Sequence, residues 1–190
     1  MEMSSVIYRT PDEYLSAESE SDEKNEYYDG WVVKMPGASV NHNRIVANLL
    51  RDLGTALKGK PFDVFPSDFR VASPEFDAFV YPDLTIVSGE AKLKDGCFDT
   101  LLNPSVIMEV MSAYSHDRDM GNKFFRYQRI SSLKEYILID SRTCFVQICR
   151  REGGNLWEFE RIETMEGLLR IKTCSSLLPL KDIYYRVPLS

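Results

Sequence analysis

Hydrophobic residues between positions 40 and 60 recur at intervals of three and four, which is the spacing of one face of an α-helix. Ser39 precedes this segment as a helix N-cap residue, and Gly59 follows it as a residue that commonly ends helices. The pattern therefore predicts a long amphipathic helix. Its buried stripe consists of Ile45, Val46, Leu49, Leu50, Leu53 and Leu57.

Two shorter helices are also predicted. Residues 10–13 (Thr-Pro-Asp-Glu) combine an N-cap threonine, a proline at the first helical position and a glutamate three residues after the cap. A helix is therefore expected to begin there, and another is expected from about Asp117 to Arg129.

The other patterned segments are short runs of apolar, aromatic and β-branched residues, which predict strands. The run from Asn25 to Met35 contains Asp29-Gly30, a strong signal for a β-hairpin. Strands are predicted near Asp63 to Phe65, Phe69 to Ala72, Phe79 to Val87 and Ser105 to Met111. Antiparallel strands are predicted from Glu135 to Asp140, Thr143 to Arg150, Leu156 to Ile162 and Leu168 to Ile171.

This order of elements predicts a mixed central sheet flanked by helices, of the α/β or α+β class, with an N-terminal hairpin and C-terminal antiparallel strands. The 190 residues fit a single domain over positions 1–190, with its core at about 25–150. The first ten residues lack the pattern of a secretory signal, and no apolar stretch is long enough to span a bilayer. We therefore expect a cytoplasmic protein without a membrane partner.

The net charge of −6 counts against tight non-specific binding of nucleic acid, although it leaves room for a local basic groove. The four cysteines, Cys97, Cys144, Cys149 and Cys174, are scattered and form no Cys-x-x-Cys pair. Reduced thiols are therefore expected rather than a disulfide or zinc site.

Two acidic residues interrupt strands that otherwise look fully buried. Asp83 lies within the run from Phe79 to Val87, and Glu109 lies within the run from Val106 to Met111. Burial of an unpaired carboxylate costs several kcal/mol or more, so each needs a cation, a partner or a proton. The alternatives are that Asp83 begins a turn after a proline and that Glu109 lies at an exposed edge.

Lys123 is a third charged residue in an apolar pattern. It lies on the same predicted helix face as Met120, Phe124 and Tyr127, so its amine is expected to point toward the sheet. The alternative is a surface ion pair with Asp119, four residues earlier. Two carboxylates that hold Mg²⁺, beside a lysine that stabilises negative charge, would suit hydrolysis of phosphodiesters.

The ordered motifs resemble the PD-(D/E)xK nuclease superfamily and, within it, the bacterial Uma-two family of restriction-endonuclease-like proteins. The resemblance covers about Pro11 to Tyr184. It rests on Asn25-Glu26-Tyr27-Tyr28-Asp29-Gly30, Ser39-x-x-His42-x-x-Ile45, Tyr81-Pro82-Asp83-Leu84, Met108-Glu109-Val110-Met111-Ser112, Asp119-x-x-x-Lys123-x-x-x-Tyr127 and Lys134-Glu135-Tyr136-x-Leu138-Ile139-Asp140.

The resemblance implies a restriction-endonuclease-like core with Asp83 and Glu109 as metal ligands and Glu26 as an additional catalytic acid. The superfamily lysine two places after the acid is replaced here by Met111, so Lys123 would take its role.

Three more residues are candidates for supporting roles. His42 and Tyr127 could assist the site, although a structural role is the more common one for a histidine in this position and core packing is the simpler explanation for Tyr127, and Arg70 could contact phosphate.

The predicted function is a Mg²⁺- or Mn²⁺-dependent endodeoxyribonuclease that acts on DNA as a homodimer. One alternative is a catalytically weak or inactive nuclease-fold protein with a binding or regulatory role, which the acidic charge and the missing Glu-x-Lys favour. Another is a small-molecule phosphohydrolase, which would have a narrow pocket instead of an open groove. Fold alone does not decide among these functions.

Overall fold

The computed structural model describes residues 7–73, 77–111 and 123–189. Within these ranges the chain is an α+β protein with more strand than helix. The helices are α1 (Pro11–Ser19), α2 (Val40–Leu57), α3 (Phe124–Tyr127) and α4 (Leu180–Ile183). The strands are β1 (Ile7–Tyr8), β2 (Asn25–Tyr28), β3 (Trp31–Lys34), β4 (Phe62–Pro66), β5 (Arg70–Ser73), β6 (Ala78–Val80), β7 (Leu84–Ser88), β8 (Thr100–Leu101), β9 (Val106–Met111), β10 (Glu135–Asp140), β11 (Val146–Gly153), β12 (Leu156–Ile162), β13 (Leu168–Ile171) and β14 (Ser176–Pro179).

The strands form two six-stranded sheets and one small pair. The N-terminal sheet has the order β1-β3-β2-β6-β5-β8, the central sheet has the order β12-β11-β10-β9-β7-β4, and β13 pairs with β14. In the central sheet, β9 and β10 are parallel and the other neighbours are antiparallel. The prediction of a mixed central sheet is therefore confirmed, and the class is α+β.

Both faces of the central sheet are buried. On one face, α2 packs Ile45, Leu49 and Leu53 against alternate residues of β7, β9, β10 and β11. On the other face, residues of the N-terminal sheet and of α3 pack against the intervening positions. Because side chains alternate along a strand, Glu109 lies on the α3 face of β9, together with Ile107 and Met111.

The local signals for the N-terminal helices and hairpin predict the structure well. Thr10 and Glu13 form the reciprocal capping box at the start of α1, and the Ser39 side chain accepts a hydrogen bond from the backbone of His42 at the start of α2. Strands β2 and β3 pair antiparallel across Asp29 and Gly30, whose φ angles are 48° and 94°. Positive φ at both central residues is what a tight hairpin turn of this handedness requires.

Two strand predictions were wrong in part. The predicted strand from Phe79 to Val87 is two strands, because residues 81–83 leave the N-terminal sheet after β6 and enter the central sheet as β7. Pro82 lacks the N–H that a continuous ladder would need. The predicted strand from Glu135 to Asp140 is antiparallel to β11 as expected but parallel to β9, a pairing that requires a crossover between the two strands.

The predicted helix from Asp117 to Arg129 is described only from residue 123 onward, and its beginning lies outside the described residues. Strands β8 and β14 and helix α4 were not predicted. Within the described ranges, none of the helices combines the length and the apolar character needed to cross a membrane.

Candidate active site

Asp83, Glu109 and Lys123 line one pocket of about 480 Å³, together with His42. Each reaches the pocket from a different element. Asp83 lies in the connection before β7, Glu109 in the middle of β9, Lys123 directly before α3 and His42 in the first turn of α2. The structure therefore brings together the three charged residues that interrupt apolar patterns in the sequence.

Asp83 and Glu109 come from neighbouring antiparallel strands. The β7–β9 ladder ends with the pair Leu84 and Met108, and one further step in the same register would place Asp83 opposite Glu109. Opposed residues in an antiparallel pair project to the same face. Asp83 Oδ2 also accepts the Val110 backbone N–H at 2.7 Å, which anchors Asp83 beside Glu109 in the chain.

Glu109 is buried in the sheet, with only 4% of its surface exposed. Its Oε1 atom accepts hydrogen bonds from Lys123 Nζ at 3.0 Å and from the Tyr127 hydroxyl at 2.9 Å. Burial, and then the nearby charge of Glu109, raise the pKa of Tyr127 well above its ordinary value. Tyr127 therefore remains a hydrogen-bond donor to Glu109 at neutral pH. The alternative of an exposed-edge Glu109 is excluded.

Lys123 points inward and is 3% exposed. Its Nζ atom lies 3.0 Å from Glu109 Oε1 and 3.1 Å from Glu26 Oε1, so one ammonium group neutralises two carboxylates in part. The alternative partner, Asp119, lies outside the described residues. The prediction that the Lys123 amine points toward the sheet is therefore confirmed, and its role in catalysis stays a prediction.

Glu26 lies beneath the pocket and does not belong to its described lining. It is fully buried in β2, where its Oε2 atom accepts the Tyr28 hydroxyl at 2.7 Å. Its Oε1 atom accepts the Tyr81 backbone N–H at 3.3 Å in addition to the contact with Lys123. Glu26 is therefore placed to hold Lys123 in position from behind.

His42 bridges Asp83 and the backbone of β9. Its Nε2 atom lies 3.0 Å from Asp83 Oδ1, and its Nδ1 atom lies 3.0 Å from the Val110 carbonyl oxygen. Because both neighbours can accept a hydrogen bond, His42 can donate to one of them in either neutral tautomer and to both when it is protonated. His42 thereby fixes the orientation of the Asp83 carboxylate.

These five groups leave an excess of negative charge. In their charged forms, Glu26, Asp83 and Glu109 contribute three negative charges, whereas Lys123 and His42 contribute two positive charges. An excess carboxylate in a buried site favours the binding of a cation. The local charge therefore suits a metal ion.

The oxygen donors also suit Mg²⁺ or Mn²⁺. Across residues 7–73, 77–111 and 123–189, no group of three or more acidic, histidine or cysteine side chains forms a complete metal-binding site. Mg²⁺, however, is commonly held by one or two carboxylates and keeps several of its waters. A carboxylate has about four lone-pair sites, which is more than the two contacts described here for Asp83.

Arg70 was predicted as a possible phosphate contact, but the structure places it elsewhere. It is 3% exposed, and its Nη2 atom binds both carboxylate oxygens of Asp99 at 2.6 and 2.8 Å. The guanidinium also lies against the rings of Tyr14 and Tyr81. Arg70 is absent from the described lining of the pocket, so a structural role in the N-terminal sheet replaces the predicted one.

Sequence reasoning missed Tyr28 and the two backbone amides of Tyr81 and Val110. A signal for Tyr28 was available, because residues two apart on a strand face the same way and Tyr28 follows Glu26 by two. The amides carry no sequence signal of their own. They become donors to Glu26 and Asp83 only once β2 pairs with β6 and β7 pairs with β9.

Comparison with known proteins identifies a family and a similar fold. The model of the Uma2 family, described as "Putative restriction endonuclease", matches residues 11–177. Two relatives come from Synechocystis sp. and bear the names Uncharacterized protein sll1609 and Uncharacterized protein slr1290. The first is 35% identical over 148 residues, which cover 78% of this chain and 84% of that protein. The second is 28% identical over 148 residues, which cover 78% and 77%.

A solved structure from Anabaena variabilis has a similar fold. It is described as "a putative nuclease belonging to DUF820", and it superposes with a TM-score of 0.75 over 93% of this chain and 97% of that chain. The sequence identity is 17%, so the likeness concerns the fold.

Proposed function

Because the chain belongs to the Uma2 family of restriction-endonuclease-like proteins, we propose that it is a metal-dependent endonuclease that hydrolyses phosphodiester bonds in DNA. The observation that carries the proposal is the group of charged residues at the pocket, where Asp83 and Glu109 lie beside Lys123 and His42, and buried Glu26 contacts Lys123 from outside the described lining. A divalent cation would offset the excess negative charge and would also bind the phosphate of a substrate.

Asp83 and Glu109 are the residues that would hold Mg²⁺ or Mn²⁺. Such an ion would supply a water molecule of lowered pKa and would screen the negative charge of the phosphate. His42 and the Val110 amide keep the Asp83 carboxylate in a fixed orientation, and Tyr127 does the same for Glu109. Ligands held by outer hydrogen bonds need little reorganisation when they bind metal.

Lys123 is the proposed electrophilic group. Its ammonium lines the pocket and can donate to a phosphate oxygen as negative charge develops in the transition state. Glu26 serves as a positioning residue, because it contacts Lys123 and lies outside the described lining of the pocket. We therefore propose this role for Glu26 in place of the predicted direct role in catalysis, which is untested.

The proposal is tested by incubation of DNA with the protein and Mg²⁺ or Mn²⁺. Asp83→Asn and Glu109→Gln should each lower cleavage by more than about 100-fold, which exceeds the roughly 10–100-fold cost of losing an outer-shell partner. The matched controls, Asp63→Asn and Glu90→Gln, change exposed acids outside the pocket and should leave cleavage unchanged. Equal cleavage by the wild type and Asp83→Asn would contradict the proposal.

A second candidate is a binding or regulatory protein on the nuclease scaffold. It is favoured by the engagement of Lys123 with two carboxylates and by Met111 at the usual position of the lysine. This candidate predicts saturable Mn²⁺ binding in calorimetry without DNA cleavage by any preparation. The nuclease predicts both binding and cleavage, and Asp83→Asn should abolish both.

The homodimer also stays a prediction. It is checked by sedimentation or light scattering, in which the protomer mass of 21.9 kDa is to be compared with the particle mass in solution.

A further inference from the structure

The reactive groups lie at the bottom of the pocket. The exposed fractions of the Glu109 and Lys123 side chains are 5% and 3%, and that of Asp83 is 13%. A reacting phosphate must come within roughly 3 Å of groups that bind or protonate it. The phosphate of a substrate must therefore enter the pocket, because contact with the rim would leave it too far away.

The pocket has the size of a small-molecule site. Its volume of about 480 Å³ falls within the range of roughly 300–1,000 Å³ that is typical of pockets for single small ligands. A nucleotide within a paired duplex is held in place by stacking and pairing. Its displacement into a pocket costs a few kcal/mol, and the cost is least when the nucleotide is already unpaired.

The walls above the acids are suited to the remainder of a nucleotide. Met35, Pro36 and Val46 provide apolar surface, and Asn43 provides an amide. Pockets of this composition bind the apolar faces of a ligand and use a few polar groups to orient it. A sugar and base could therefore lie against these walls while the phosphate reaches the base of the pocket.

Two further lysines line the pocket, and both form ion pairs with acidic side chains. Lys34 Nζ is paired with Glu23 at 2.6 Å, and Lys24 Nζ forms an ion pair with Asp68. Lys24 also donates to the Ser67 side chain at 3.2 Å. Binding of duplex DNA through its phosphates commonly uses about 6–10 contacts with cationic side chains. These two paired lysines do not supply such a footprint.

From depth, volume and wall chemistry together, we propose that the substrate is a DNA strand whose target nucleotide is unpaired, and that fully paired duplex is a poor substrate. This inference rests on the proposed nuclease function and narrows its substrate class. It concerns what enters the pocket, whereas the nuclease proposal concerns what happens to a phosphodiester that has entered.

The test compares three labelled DNA oligonucleotides of one sequence in the presence of Mn²⁺: single-stranded, fully paired, and paired with a short internal unpaired loop. The single strand and the loop should be cut at least tenfold faster than the duplex, and cutting of the last substrate should fall within its loop. Equal rates, or faster cutting of the duplex, would overturn the inference and leave the nuclease proposal standing.

Binding distinguishes failure of the inference from failure of the proposed function. If no DNA is cut, the nuclease proposal fails, and fluorescence anisotropy in Ca²⁺ still tests the pocket. Tighter binding of the single strand than of the duplex would then support entry of an unpaired nucleotide. Equal binding would refute it.

A pocket-filling variant gives the structural control. Ala38 is exposed and lines the pocket, so Ala38→Trp should block entry and lower cleavage or binding of the single strand at least tenfold. Ala47 is exposed on α2 outside the described lining, and Ala47→Trp should have no effect. An unchanged Ala38→Trp protein, with a normal thermal midpoint, would show that substrate does not enter this pocket.

Discussion

The variant Lys123→Met tests how much the buried ion pairs of Lys123 contribute to the stability of the fold. Methionine keeps most of the length of the side chain and removes the ammonium group that lies 3.0 Å from Glu109 and 3.1 Å from Glu26. Both carboxylates are almost fully buried, so water cannot replace the lost cation without rearrangement. The variant should therefore be much less stable than the wild type.

The size of the effect follows from two opposing contributions. At about 3 Å and an effective dielectric constant of about 20, each ion pair contributes roughly 5 kcal/mol of attraction. Desolvation of the three charged groups offsets most of that attraction, but removal of Lys123 leaves both carboxylates buried without its positive charge. The expected loss is about 3–5 kcal/mol, out of a total stability of about 5–15 kcal/mol for a typical domain.

The assay is urea unfolding followed by circular dichroism, in the absence of divalent metal. The exposed Lys60 provides the matched control, and Lys60→Met should change stability by less than about 0.5 kcal/mol. Addition of Glu26→Gln to Lys123→Met should restore about 1–3 kcal/mol, because one uncompensated charge is removed. The reasoning is refuted if Lys123→Met costs less than about 1 kcal/mol, or if the double variant is the less stable of the two.

Three further predictions concern other buried groups. Arg150 lies 3.1 Å from Glu135 and both are buried, so Arg150→Met should cost about 3–5 kcal/mol in urea unfolding, and Arg150→Met/Glu135→Gln should cost less. Burial raises the pKa of Cys149 to about 12, so iodoacetamide at pH 8.5 should label it only after unfolding, as mass spectrometry can determine. The pKa of Tyr127 is higher in the folded protein than in the unfolded chain, where it is about 10. The contribution of Tyr127 to stability is therefore fully present below about pH 10. It is lost as the pH rises further, because the phenol of the unfolded chain ionises first. The stability advantage of the wild type over Tyr127→Phe should therefore shrink between pH 9 and pH 11, and a constant difference would contradict the raised pKa.

Part of the candidate site was predictable from sequence. Burial of a charged side chain is costly, so a charged residue inside an apolar run points to a special role. Asp83 and Glu109 interrupt apolar runs, and Lys123 occupies an apolar helix face, so all three were identifiable without coordinates. Their contacts in the structure agree with the expectation that they lie together. Their roles in metal binding and catalysis stay predictions.

The remaining features depend on contacts between distant parts of the chain. The exposure of Glu26 could not be inferred, because a glutamate beside a hairpin turn is ordinary unless β2 is known to pair with β6. No local sequence pattern predicts the ion pair between Arg70 and Asp99, because the two residues are 29 positions apart. The parallel pairing of β10 with β9 depends on the crossover between them, and local hydrophobic patterns do not encode strand direction.

The short connection at residues 81–83 makes the site depend on both large sheets at once. At one end, the Tyr81 amide contacts Glu26 of the N-terminal sheet, and at the other, Asp83 contacts the Val110 amide of the central sheet. Neither sheet alone carries all of these contacts, so neither could be expressed separately with the charged cluster intact. Any partial opening that separates the sheets would break up this charged cluster while most of the strands remained folded.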